Sequence, residues 1–314
     1  LTEVEPRIAI NAANTPGDAD SLFKITQPGS YYLTGNITGV VGKHGIEIVA
    51  SGVTLDLMGF DLAGVPAMGA FDGVSATTFS LSNIAVVNGS IRNWGGDGVD
   101  LLTFGPINSR VEGVAARGNT SFGIGAFYSN TATNCSAYLN GGAGFIVDNG
   151  GTVSNCTAYQ NGGDGLNVGS GCTVSRCAAY VNGGNGISTS NGCLVIDCSA
   201  LDNTLDGIRC FAQSIISGNT CSNNGNGGFG AGIHVTSTNN RIEGNNCSLA
   251  DRGILVDAPG NIIIRNTCSA NTASWSVVAG NVILVVNGVG APAVFGTAGG
   301  AAPGSTDPNA NFSY

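Results

Sequence analysis

Groups that titrate near neutral pH are the usual carriers of acid–base chemistry, and this chain has two histidines, His44 and His234. Only 10% of its 314 residues are charged, with 20 Asp and Glu against 11 Lys and Arg. Hydrolysis of a glycosidic bond needs two carboxyl groups at a set separation. Elimination beside a carboxylate needs a base, and often a bound cation. Neither arrangement is present as a linear motif. Adjacent Asp pairs do not occur, and Lys43–His44–Gly45 is only a faint echo of a histidine flanked by glycines. Asp56 lies in an alternating segment, Val53–Phe60, which points its side chain outward and gives it a turn-fixing role. Any site must therefore be assembled by the fold from distant positions.

The elements that could assemble it are set by an internal repeat. Asn140, Asn161 and Asn182 each open a similar segment, and the Asn ladder extends to Asn119, Asn203 and Asn224 at a 21-residue step. A Gly before an apolar residue recurs at Gly123, Gly144, Gly165, Gly186 and Gly207 with the same step. Looser spacing carries it to Gly45, Gly73, Gly98, Gly232 and Gly253. Within a repeat the alternation has period two: Leu166 and Val168 point one way and Asn167 the other. Short strands between Gly/Asn corners predict an all-β, right-handed parallel β-helix of about 10–11 coils. The corner Asn residues are expected to take the left-handed conformation and to hydrogen-bond from coil to coil. Tyr138, Tyr159 and Tyr180 share the step and are expected to stack.

Stacking brings separated residues together. Two positions after each repeat Gly, facing outward, lie Glu47, Asp100, Asn167, Ser188, Arg209 and His234. One position before it lie Asp72, Asp97, Asp164, Asp206 and Arg252. Asp206, Arg209, His234, Arg252 and Asp257 thus gather into one polar patch over three coils, the best candidate for chemistry. Asp97 with Asp100 is a second and weaker one. The plainer reading of both is a solvated outer face with ion pairs worth under about 1 kcal/mol.

The sequence resembles the right-handed parallel β-helix proteins of the pectin-lyase-like superfamily over roughly residues 20–290. The segments Ile25–Gly39 and His44–Phe60 are similar to the opening of a group of secreted bacterial β-helix proteins, and Thr306–Tyr314 to its end. The resemblance implies a fold and leaves the reaction open, since the superfamily includes lyases, hydrolases, adhesins and phage fibres. The galacturonase-like set of paired Asp, Gly-His-Gly and Arg-x-Lys is absent from this chain. The reading that follows is a non-catalytic structural or surface protein that self-associates, through its ends and its tail, into a fibre or an adhesive surface. Enzymatic function is left open with the balance against it. Its alternatives are a polysaccharide lyase or glycoside hydrolase centred on Asp206, Arg209 and His234, and a carbohydrate-binding module using the Tyr ladder.

The organisation expected is an N-terminal cap over 1–35, coils over 36–290, and a low-complexity tail over 291–314, packed on its own coils or on a neighbouring subunit. A net charge of −9 excludes a nucleic-acid footprint, and no segment offers the ~20 apolar residues of a spanning helix. The start at Leu1 fits a removed leader, so export to the cell surface or medium is expected. Cys135, Cys156, Cys177 and Cys198 form one ladder at the same step, Cys172 with Cys193 a second, and Cys247 with Cys268 a third. Disulfides 135–156, 177–198, 172–193 and 247–268 would leave Cys210 and Cys221 over. Stacked buried thiols are the other reading, and the balance goes to disulfides because of the expected export. No C-x-x-C spacing occurs, so neither a metal nor a cofactor is expected.

Overall fold

The computed structural model describes residues 7–76, 78–101, 106–126, 128–225, 227–228, 230–287, 294–296 and 307–314. The chain forms two compact units, Leu1–Thr157 and Ala158–Tyr314. Each is a parallel β-helix, and no helix occurs among the described residues. A coil of the second unit shows the plan in three short strands: Leu166–Val168, Thr173–Ser175 and Ala178–Tyr180. The first strands of successive coils pair in parallel register, as in Ile187↔Ile208, Ile208↔Ile233, Ile233↔Ile254 and Ile254↔Trp275. Among the described residues such strands total thirteen, Ser21–Ile25 to Phe145–Val147 in the first unit and Leu166–Val168 to Val294–Gly296 in the second. The expected count of 10–11 was low because the end coils lack the signature. Leu22 stands where the next coil has Gly45, Ser21 pairing with His44.

The inward column of the second unit, Leu166, Ile187, Ile208, Ile233 and Ile254, is fully buried. At roughly 1.5–3 kcal/mol for each large aliphatic side chain, this column is a main stabilising term for every coil. Outward neighbours Asn167, Ser188, Arg209 and His234 keep partial exposure, so the same strands that fill the core present polar side chains on the outer face.

The corners follow a rule that differs from the expectation. The ladder residues Asn182, Asn203 and Asn224 do not have positive φ; the residues just before them do: Val181 at 57°, Asp202 at 54° and Asn223 at 53°. The ladder Asn side chains turn inward and are at most 2% exposed. Asn203 Oδ1 accepts from Asn182 N and Nδ2 at 3.1 and 3.0 Å, and Asn203 Nδ2 donates to Ala179 O at 3.0 Å. Their task is to satisfy backbone groups inside a coil too narrow for water. A second ladder has the same form, Cys198 N donating to Asn219 Oδ1 and Asn219 to Asn245, Asn266 and Asn311 in turn.

The repeat Gly also owes its place to space rather than to φ. A Cβ on Gly207 would lie 2.6 Å from Gly232 O and 2.7 Å from Asn224 Nδ2. No other residue fits so close to the next coil.

The expected disulfides are not formed. All ten cysteines are free and buried. In-register stacking keeps equivalent Cβ atoms parallel and about 4.8 Å apart, beyond the ~3.8 Å that a disulfide requires. Cys221, left unpaired by the sequence reading, stacks on Cys247, and Cys247 on Cys268. At the other corners the thiols donate to carbonyls, Cys198 Sγ to Ile196 O at 3.3 Å and Cys193 Sγ to Gly169 O at 3.0 Å.

At the chain's end, Asn311–Ser313 pairs with Thr267–Cys268 and Val285–Asn287 of its own unit. Residues 291–293 and 297–306 of the expected tail lie outside the described residues.

Candidate active site

In the second unit the outward patch is a hydrogen-bonded cluster. His234 sits mid-strand in Ala231–Val235, with Nδ1 2.8 Å from Asp206 Oδ2 and Nε2 2.8 Å from Asp257 Oδ2. Asp206 is 8% exposed and Asp257 52% by side chain, so one carboxylate is built into the wall and the other reaches in from solvent. Burial works against the imidazolium, but the hydrogen bonds and charges of Asp206 and Asp257 outweigh it, and the His234 pKa lies above its ordinary value.

Asp206 is held from behind. Its Oδ1 accepts from Ala231 N at 2.8 Å, and its own N–H donates to Asn185 Oδ1 at 3.2 Å. Asn185 in turn donates from N and Nδ2 to Asp164 Oδ1. Where the position before a repeat Gly is Asp, it serves the scaffold by capping the next coil's backbone, as at Asp72, Asp97, Asp164 and Asp206. Asp72 and Asp206 also turn their second oxygen to a histidine, Asp72 to His44 at 3.3 Å and Asp206 to His234 at 2.8 Å. Of these two histidines, His234 has a second carboxylate hydrogen-bonded to its other ring nitrogen.

Arg209 is the register partner of His234 and is exposed. Among the described residues its guanidinium has no hydrogen-bond or ion-pair partner. Arg209, His234 and Asp206 line an open pocket of about 400 Å³ with Asn185, Leu205 and the glycines of an insertion, Gly225, Gly227 and Gly230. The signal for that wall was present in the sequence: Gly207 to Gly232 is a 25-residue step where the repeat has 21. Asn185 and Leu205 carried no such signal. Arg252 pairs with Ala231 and Ala273, one coil beyond, and does not line the pocket.

The first unit holds the weaker candidate. His44 Nδ1 accepts from Asp72 N at 3.0 Å, Asp72 Oδ1 from Asp97 N at 2.7 Å, and Asp97 Oδ1 from Phe122 N at 2.8 Å. Burial, with Asp72 and Asp100 adding to it against the hydrogen bonds from Ser121 and Phe122, pushes the Asp97 carboxyl up to about 6. Asp100 and Asp72 are almost fully buried; Asp72 and Asp97 cap backbone N–H groups of the next coil, and Asp72 Oδ2 also lies 3.3 Å from His44 Nδ1. Asp56 accepts from Met58 N at 2.9 Å, fixing a turn where Met58 has a φ of 55°. Asp18, Asp20 and Glu47 have the spacing of a cation site, but the Lys24 ammonium reaches Asp18 at 2.7 Å and Glu47 at 2.8 Å. Tyr159 and Tyr180 stack at 4.3 Å between ring centroids, both half-buried.

No protein-family model matches the chain, and no curated protein matches it. Solved structures do. The A-module of the Azotobacter vinelandii mannuronan C-5 epimerase AlgE6 superposes with a TM-score of 0.68 at 18% identity, covering 88% of this chain and 87% of that one. The A-module of AlgE4 from the same organism gives 0.57 at 18% identity, over 78% and 87%. The Dettilon tailspike protein gives 0.50 at 16% identity, over 93% of this chain and 60% of its own. The chain has the right-handed parallel β-helix fold of the pectin-lyase-like proteins. The expectation of a non-catalytic structural protein is corrected at this point. Chains of closely similar fold are polysaccharide-modifying enzymes, the class named as the alternative. Linear motifs could not show the cluster, because stacking, not sequence adjacency, joins Asp206, His234 and Asp257.

Proposed function

We propose that the chain is a polysaccharide-acting enzyme that moves the C5 proton of a uronate unit in an acidic, extracellular polymer, as a lyase or an epimerase. The observation that carries the reading is His234 clamped at both nitrogens by carboxylates beside the unpaired Arg209 in an open pocket. A guanidinium pairs with a sugar carboxylate in bidentate fashion, which sets C5 above the imidazole. Asp257 holds Nε2 in the resting site but is 52% exposed. When it swings out to solvent, neutral His234 has Nε2 open to take the proton while Nδ1–H stays on Asp206. The electron pair left on C5 delocalises into the carboxylate, where Arg209 stabilises the growing charge. Expulsion of the O4 substituent then gives the C4=C5 double bond, the leaving oxygen taking up a proton. Reprotonation from the opposite face gives the C5 epimer instead. Glycoside hydrolysis is favoured less, because it needs two carboxyls free to act separately, and here one imidazole ties both. The fold of the two epimerase modules, and the word mannuronan in their names, supports the choice of an acidic polymer.

The test is incubation in D₂O with mannuronan, polygalacturonate and neutral glucans, followed by NMR at C5 and by absorbance of unsaturated uronate. Deuterium at C5 or a C4=C5 product is expected from an acidic polymer. Loss of a single proton-transferring group costs about 10²- to 10⁴-fold, so His234→Gln should fall by more than about 100-fold. Turnover that His234→Gln leaves intact, or reducing ends released only from neutral glucans, would sink the proposal.

A further inference from the structure

Arg209 lines two hollows. The first is the pocket with His234, at the N-terminal ends of the strands. The second, of about 350 Å³, lies at their C-terminal ends and includes Ser188, Asn191, Phe211 and Thr236. Among the described residues, Arg209 is the only charged one in its lining. Ser188 and Asn191 side chains have no hydrogen-bond partner among the described residues, and Thr236 Oγ1 donates to Cys210 O at 3.1 Å with its lone pairs still open. Phe211 stands 49% exposed at this rim. Its carbonyl accepts from Nδ2 of the buried Asn240 at 2.8 Å, so the ring projects from a fixed corner.

An exposed aromatic ring beside unpaired hydroxyl and amide groups suits a pyranose, whose C–H face stacks while its hydroxyls hydrogen-bond. A second carboxylate-bearing sugar would find no further cation there and would compete for Arg209. We infer that this hollow is a subsite for an uncharged hexose next to the uronate, so that the polymer runs along the strands and crosses Arg209. Asp206 and Phe211 are five residues apart on that line, roughly 16 Å at ~3.3 Å per residue, room for more than one ring. The preferred substrate is thus a heteropolymer in which neutral and acidic sugars adjoin. The inference rests on the uronate reading of the His234 pocket.

The experiment uses the full chain carrying His234→Gln, to bind without turnover, and calorimetry with two probes: a homouronate oligosaccharide and an oligosaccharide of alternating uronate and neutral hexose. The mixed probe is expected to bind more tightly. Adding Phe211→Ala should weaken the mixed probe by about tenfold and leave the homouronate unchanged, whereas adding Arg209→Ala should abolish both. Phe211 is outside the core, so an unchanged urea midpoint confirms that its variant is folded. If Phe211→Ala and Asn191→Ala bind the mixed probe as the parent does while Arg209→Ala loses it, the neutral subsite is wrong and the uronate pocket stands. If neither probe binds the parent, or Arg209→Ala binds both normally, the uronate reading itself fails and takes the subsite with it.

Discussion

Asn203→Ala puts the corner rule to its hardest test, because Asn203 opens the coil that carries Asp206 and Arg209. Four hydrogen bonds are lost: two accepted by Oδ1 from Asn182 N and Nδ2, and two donated by Nδ2 to Ala179 O and Asn224 Oδ1. At about 1 kcal/mol each the direct loss is about 4 kcal/mol. The substitution also strands the buried Asn182 N–H and the Ala179 carbonyl, and a stranded buried group costs about 1–3 kcal/mol unless water enters. A net destabilisation of at least about 4 kcal/mol is expected in urea unfolding, with the slope unchanged. Hydrogen exchange should show the Asn182 amide losing protection before amides elsewhere in the second unit. A loss below about 1 kcal/mol, with Asn182 still protected, would refute the claim that these side chains satisfy the coil's interior backbone.

The remaining predictions concern strain and pH. Val181 holds a φ of 57° at a corner where the preceding and following coils have Gln160 and Asp202, all with positive φ; a β-branched residue is strained there, so Val181→Asn should raise stability by about 1 kcal/mol, read as a higher urea midpoint, and a fall would disprove the strain. Because His234 works as a base only when neutral, activity should be lost as pH falls through its raised pKa, and Asp257→Asn, by removing one carboxylate, should move that limb to lower pH; a limb that stays put would exclude His234 as the titrating group. The same shift has a stability counterpart of definite sign. The ion pairs of His234 stabilise fully below the ordinary histidine value, and the contribution disappears as pH rises through the raised folded value.

The sequence alone determined the coil. A 21-residue period, alternation in Leu166–Val168 and its repeats, and apolar residues at every inward position leave a parallel β-helix as the arrangement that buries them all. It also determined which residues share an outward column, which is why Asp206, Arg209 and His234 could be grouped before any geometry was known. Tertiary structure decided the rest. The Gly at each repeat and the Asn at each corner exist for the adjacent coils: a Cβ on Gly207 would meet Gly232 O at 2.6 Å, and Asn203 Nδ2 donates to Asn224 Oδ1 at 2.9 Å. Such partners are not neighbours in the chain. The cysteines were ambiguous because the Cα spacing of stacked coils permits a disulfide, while the parallel Cβ directions forbid it. Arg252 shares the column of Asp206 yet stays out of the pocket, whereas Asp257 enters the site from the end of its strand. Periodicity fixes which column a residue occupies; the direction and reach of its side chain depend on what the adjacent coils leave open, and only there does His234 acquire two carboxylates.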